Sequence, residues 1–144
     1  MTHRTIRSII GEQDAVTAPA ATTVIDAARL MRERRVGAVL VVEEDRLAGV
    51  FTERDALFRV IAEGLDVATT RLADVMTRKP RTIHPDKPFA EALHLMYEGG
   101  FRHVPVVEDG RPVGMISARD ALGPELEDFV YELLRRNQAD DILA

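Results

Sequence analysis

The chain has 144 residues, a formal net charge of −5 and a pI near 5.4, which leaves room for one ordinary domain or two very small ones and argues against a general nucleic-acid binder. It has no cysteine, so disulfides and thiolate metal sites are excluded; it has no tryptophan and only 5% aromatic residues, so base-stacking platforms for single strands are not expected. No apolar run approaches the roughly 18 residues that span a bilayer, and the first eight residues lack the apolar segment of a signal peptide, so a cytoplasmic protein without a membrane partner is expected.

Val24, Ala27, Ala28 and Met31 fall on one face at helical spacing, which predicts a helix. Thr22 or Thr23 caps its start and Gly37 lies just past its end. The short apolar run from Ala38 to Val42 predicts a buried strand. Glu43 to Arg46 reads as a polar hairpin turn, and Leu47 to Phe51 as a second strand that Gly49 interrupts. A second helix begins near Thr52 and reaches about Ala62, ended by Gly64. The pattern then recurs. Pro88 opens a helix that Gly99 and Gly100 close, His103 to Val107 is a strand, Asp109-Gly110 is a hairpin turn, and Pro112 to Ile116 is the next strand. Gly123-Pro124 stops the following helix early, and Pro124 suits the start of a last one with an apolar stripe of Leu126, Phe129, Val130, Leu133 and Leu134.

The recurrence is in register. Shifted by 65 positions, the chain matches itself without a gap from Val16 to Leu57. Thr17 falls on Thr82, Met31 on Met96, Val39 on Val104 and Gly49 on Gly114, and Arg54-Asp55-Ala56-Leu57 falls on Arg119-Asp120-Ala121-Leu122. Two copies are too few for a solenoid, so the expected fold is α/β (α+β): two β-α-β-β-α repeats in a pseudo-two-fold pair, plus a C-terminal helix. The boundaries are residues 5–65, 69–123 and 124–144.

The strings Gly49-Val-Phe-Thr52-Glu-Arg54-Asp55 and Gly114-Met-Ile-Ser117-Ala-Arg119-Asp120 resemble the glycine, hydroxyl and acid signature that closes a CBS repeat. Arg102-His103-Val104-Pro105-Val106-Val107 is similar to the His-x-Pro-Val strand of such repeats, and Val75-Met76 resembles their lead-in. The resemblance covers nearly the whole chain. It implies a Bateman-type tandem pair that binds an adenine nucleotide in clefts between the repeats: AMP, ADP, ATP, or an adenosyl compound such as NAD or S-adenosylmethionine. It also implies a homodimer, to which the C-terminal stripe would contribute.

The residues suit such a ligand. Thr52 and Ser117 sit where strand turns into helix, so hydroxyl and following amides can face one phosphate. Arg54 and Arg119 could add charge-assisted bonds. Asp55 and Asp120 stand one helical turn after the hydroxyl, where a carboxylate can accept the ribose hydroxyls. The resemblance places the adenine against main-chain groups of Thr17 and Ala18 with Gly37, Ala38 and Val39 for one site, and of Thr82, Ile83 and His84 with Arg102, His103 and Val104 for the other. The first repeat lacks the imidazole and the proline of His103 and Pro105, which makes the second the stronger candidate. Each feature has a plainer role beside it. Thr52 and Ser117 can be helix caps, Asp55 and Asp120 their capping-box partners, His103 a core histidine, and Gly49 and Gly114 packing glycines.

No catalytic arrangement appears. Histidines 3, 84, 94 and 103 lack metal-ligand spacing, and there is no P-loop, nucleophile elbow or dinucleotide glycine motif. The run Arg32-Glu33-Arg34-Arg35 reads as a mixed-charge outer helix face. A stand-alone adenylate sensor acting on another protein is therefore the leading expectation. A ligand-free dimerisation module is the alternative. A fragment of an enzyme fits worst, given a start at Met1 and no catalytic groups.

Overall fold

The computed structural model describes residues 4–121, 128 and 131–136. Thr5 caps α1 (Ile6–Ile10), its hydroxyl accepting from Ser8 N–H, and Thr23 does the same for Asp26 N–H at the start of α2 (Val24–Arg34). α2 lies between β1 (Thr17–Pro19) and the hairpin of β2 (Ala38–Glu43) and β3 (Arg46–Thr52). α3 (Glu53–Asp55) runs straight on as a π-helix over Ala56–Ile61. α4 (Leu72–Val75), β4 (Thr77–Arg78) and α5 (Phe89–Gly99) follow, then β5 (His103–Glu108), β6 (Arg111–Ser117) and a 3₁₀ turn over Ala118–Ala121.

The backbone repeats as closely as the side chains do. Both hairpins turn on two residues of positive φ, Glu44-Asp45 and Asp109-Gly110, the combination that follows strand twist. The first does so without any glycine. Each hairpin has a bulge at the same place, between Val41 and Val42 and between Val106 and Val107. α2 and α5 both end on a left-handed residue. In α5 it is Gly100, as expected; in α2 it is Arg35, not Gly37, which the sequence pattern singled out. One element shrinks. β1 pairs in parallel with β2 over three residues, whereas its counterpart near Thr82 keeps only the bridge from Ile83 to Val106. The expected first strand of the second repeat is thus a single parallel pair.

Two cores form, and the lead-in helices exchange between them. Ile6 and Ile10 of α1 are buried with Phe89, Met96, Val104, Val106 and Ile116 of the second repeat. Leu72 and Val75 of α4 are buried with Val24, Met31, Val41 and Phe51 of the first. Main-chain bonds hold both exchanges: Ile6 N–H donates to Lys87 O (2.9 Å) and Arg7 N–H to Pro85 O (2.7 Å), while Leu72 N–H donates to Thr22 O and Val24 N–H to Thr70 O, each at 2.9 Å. A cut along the chain and a cut between cores therefore differ. β4 continues the exchange by pairing with β3 at Gly49 and Val50. A Cβ on Gly49 would lie 2.7 Å from both Met76 Sδ and Thr77 O, so this glycine admits a neighbouring backbone, the packing role.

Asp128 and residues 131–136 are helical, and Leu133 and Leu134 are exposed there. Gly123, Pro124, Leu126, Phe129 and Val130 lie outside the described residues. Among the described residues no helix is long and apolar enough to cross a membrane.

Candidate functional site

The chain brings the two strand-to-helix turns to the seam between the repeats. At each turn a main-chain bond ties the helix start to the other end of its own hairpin: Glu53 N–H donates to Gly37 O (3.0 Å) and Ala118 N–H to Arg102 O (2.9 Å). Two clefts flank this seam, and a third opening of about 630 Å³ lies across it, lined by Gly37, Glu53 and Leu57 and by His103, Ser117 and Arg119. A wide one of about 850 Å³ is lined by Thr52, Arg54 and Asp55 of the first repeat and by Lys79, Pro80, Arg81, Phe101, Arg102 and His103 of the second. A narrow one of about 420 Å³ is lined by Asp14, Val16, Gly37 and Ala38 of the first repeat and by Ser117, Arg119 and Asp120 of the second.

Each cleft thus combines the hydroxyl and acid of one repeat with the strand edge of the other. The candidate groups of one repeat are therefore divided between the two clefts. His103 lies at the centre, lining both clefts. Its imidazole is held below the usual histidine range, chiefly by burial and further by the nearby Arg102 and Arg119, against the opposing pull of Glu53 and Asp120.

Thr52, Arg54, Asp55, Arg102, His103, Gly37, Ala38, Ser117, Arg119 and Asp120 reach the clefts. Ala18, Val39, Ile83 and Val104 do not: all four are buried in the cores, while Pro105, on the opposite face of β5 from Val104, is buried as well and lines neither cleft. Thr17 and Thr82 are exposed and line neither cleft. Lys79, Pro80 and Arg81, just before Thr82, stand in the cleft instead. Lys79 and Arg81 are the register partners of Asp14 and Val16, which line the other cleft, and the repeat alone did not single out either pair.

The two acids are not equivalent. Asp55 is 7% exposed and fully engaged. Its Oδ2 accepts from Thr52 N–H (3.0 Å), Thr52 Oγ1 accepts from Asp55 N–H (3.1 Å), Thr77 Oγ1 donates to the carboxylate (3.3 Å), and Arg59 Nε stands 3.5 Å away. This is a capping box, the plainer of the two roles considered. Asp120 accepts from Ser117 N–H (2.7 Å) and Ser117 Oγ (3.4 Å) through Oδ2 alone, and is only half-buried. Of the two carboxylates, that of Asp120 is the more exposed.

His84 joins neither cleft. Its ring nitrogens and the carboxylate oxygens of Asp86 and Glu108 lie within 4.8 Å of one another, a donor set that could hold a cation and that histidine spacing did not reveal. Arg7 already bridges both acids, at 3.0 Å to Asp86 and 2.6 Å to Glu108, and its hydrogen bond holds the Asp86 carboxyl below the ordinary range. His84 Nδ1 accepts from Asp86 N–H at 3.1 Å.

Comparison with known proteins agrees with this architecture. Residues 6–62 and 72–124 each match the CBS domain family. The chain is 43% identical over 109 residues to the CBS domain-containing protein CBSCBSPB3 of Arabidopsis thaliana; the match covers 75% of this chain and 20% of that one. The chain thus spans about a fifth of the length of that relative. Among solved structures, a CBS-domain containing protein of Agrobacterium tumefaciens superposes with a TM-score of 0.74 at 29% identity, covering 82% of this chain and 90% of that one. A CBS domain protein of Pyrobaculum aerophilum complexed with AMP gives 0.74 at 26% identity, covering 81% and 89%.

Proposed function

The chain belongs to the CBS-domain family as a tandem pair, a regulatory type of module, and from that premise we propose that it binds an adenine nucleotide in the clefts at the repeat seam and acts by binding rather than by catalysis. One observation carries the reading. Each cleft sets a hydroxyl, an acid and an arginine from one repeat against main-chain edge groups from the other. A ligand there touches both repeats, so its binding energy biases how they sit against each other. The Pyrobaculum aerophilum relative, complexed with AMP, supports an adenosine-containing ligand. AMP, ADP, ATP, NAD and S-adenosylmethionine all fit this class. The output goes to another protein, and the absence of cysteine suits the cytoplasm as the place of action.

The test is a thermal-shift series with these five compounds. Any that reaches 100 times its dissociation constant should add about 2.7 kcal/mol of stability. A flat response to all five would remove the nucleotide reading and leave the dimerisation module.

A second copy of the chain is the proposed partner in either case. Leu57, Phe58 and Ile61 on the π-helix are 51%, 58% and 64% exposed, and the exposed Leu133 and Leu134 lie further along the chain. Apolar groups gathered on one helix in this way belong to an interface more often than to a free surface.

A further inference from the structure

We infer that the wide cleft selects a nucleotide carrying two or more phosphates, whereas the narrow cleft does not. The inference rests on the nucleotide reading above and deepens it.

The clefts are built from register-equivalent positions, so their differences can be compared one by one. Where the narrow cleft has Asp14, Val16 and Gly37, the wide cleft has Lys79, Arg81 and Arg102. One acid and two uncharged residues are replaced by three cations. The exchange runs the other way at the helix ends: Arg34 and Arg35 line the narrow cleft, and Gly99 and Gly100 take their places in the wide one. Two long side chains are thereby removed, in keeping with about 850 Å³ against about 420 Å³. Space and positive charge are gained together in one cleft.

The cations are also available. Among the described residues, neither Lys79 nor Arg102 has a carboxylate within ion-pair reach. Arg81 shares only an open contact with Glu98 at 3.7 Å. Arg54 and Arg59 donate to the carbonyls of Gly100 and Met76, which pins their guanidinium groups at the cleft wall. Two acids also line the wide cleft, Asp55, which is turned into its capping box, and Glu53, whose carboxylate lies beside Gly37, and the five cations Arg54, Arg59, Lys79, Arg81 and Arg102 outnumber them. Lys79 lines the cleft at φ +50° directly before a proline, a costly backbone state that the surrounding structure has to hold. In a chain of net charge −5, such a concentration of positive groups focuses the field on one anion. Each further phosphate adds acceptor oxygens and negative charge for these groups to meet. In the narrow cleft, Asp14 opposes the same addition.

The experiment is calorimetric titration of the full chain with AMP, ADP, ATP and inorganic tripolyphosphate, in chelator and at two salt concentrations. The Asp120→Ala variant reports the wide cleft alone. We expect ADP and ATP to bind that variant at least tenfold more tightly than AMP, with a steeper salt dependence. In a Lys79→Gln/Arg102→Gln variant that preference should fall to within about threefold, while the melting temperature without ligand stays put. Equal affinities for AMP and ATP, or a preference that survives the double substitution, would overturn the inference and leave the nucleotide reading standing. Tripolyphosphate binding as well as ATP would overturn it too, by removing the nucleoside. No binding of any nucleotide would overturn both.

Discussion

The imidazole of His103 stands against Gly37 across the repeat seam: a Cβ at position 37 would lie 3.3 Å from Nε2 and 3.2 Å from Glu53 Oε1. The two repeats therefore meet where one supplies a ring and the other gives up a side chain. Burial there holds His103 neutral at pH values where an exposed histidine would charge.

That burial sets a pH dependence of stability. In the unfolded chain His103 titrates near the ordinary 6.5, and in the folded chain lower. Between the two values the unfolded state binds more protons, so stability is full above about 6.5 and is lost as pH falls through the folded pKa. Urea unfolding from about pH 7.5 down to about pH 5 should show this slope in the native chain and a shallower one in His103→Gln. Identical slopes would show that the buried imidazole is not its source.

Asp55 and Asp120 should separate stability from binding. Asp55→Ala removes a buried carboxylate that serves Thr52, Thr77 and Arg59 together, and should cost about 2–3 kcal/mol. Asp120→Ala removes bonds from Ser117 only and should cost about 1 kcal/mol or less. The order should reverse for nucleotide affinity in the narrow cleft. Paired denaturation and calorimetry decide it; equal stability losses would mean that the capping box at Thr52 carries no special weight.

The exchanged helices predict where damage travels. Ile6 is fully buried in the second core, so Ile6→Ala should cost about 2–5 kcal/mol. Amide exchange should rise first over His103–Glu108 and Arg111–Ser117, although Ile6 precedes the first repeat in the chain. Faster exchange confined to Ala38–Glu43 and Arg46–Thr52 would contradict the exchange of helices between cores.

The apolar face of the π-helix predicts an assembly. Ile61→Glu places a charge among Leu57, Phe58 and Ile61. Sedimentation should show a dimer for the native chain and a monomer for the variant, with little change in monomer stability, because Ile61 is 64% exposed. A native chain that sediments as a monomer would end the proposal.

The sequence by itself determined the repeat, its register and nearly all its elements. Those features rest on local rules: helical spacing at Val24, Ala27 and Met31, a buried run at Ala38 to Val42, and turns that positive φ punctuates. It also carried the family resemblance and the hydroxyl, arginine and acid of both turns. Only the tertiary structure decided how these parts combine. A period of 65 residues says that two units are alike, but nothing in it says that Ser117 lines a cleft with Gly37 of the other repeat, or that α1 crosses to the second core. Strand alternation likewise hides Val39 and Val104 in the interior while Lys79 and Arg81, outside any strand, take their place in a cleft. The reason is one of range. Local pattern is fixed by neighbours within a few residues, whereas the clefts are made where two pseudo-symmetric units pack, and each wall comes from a different copy.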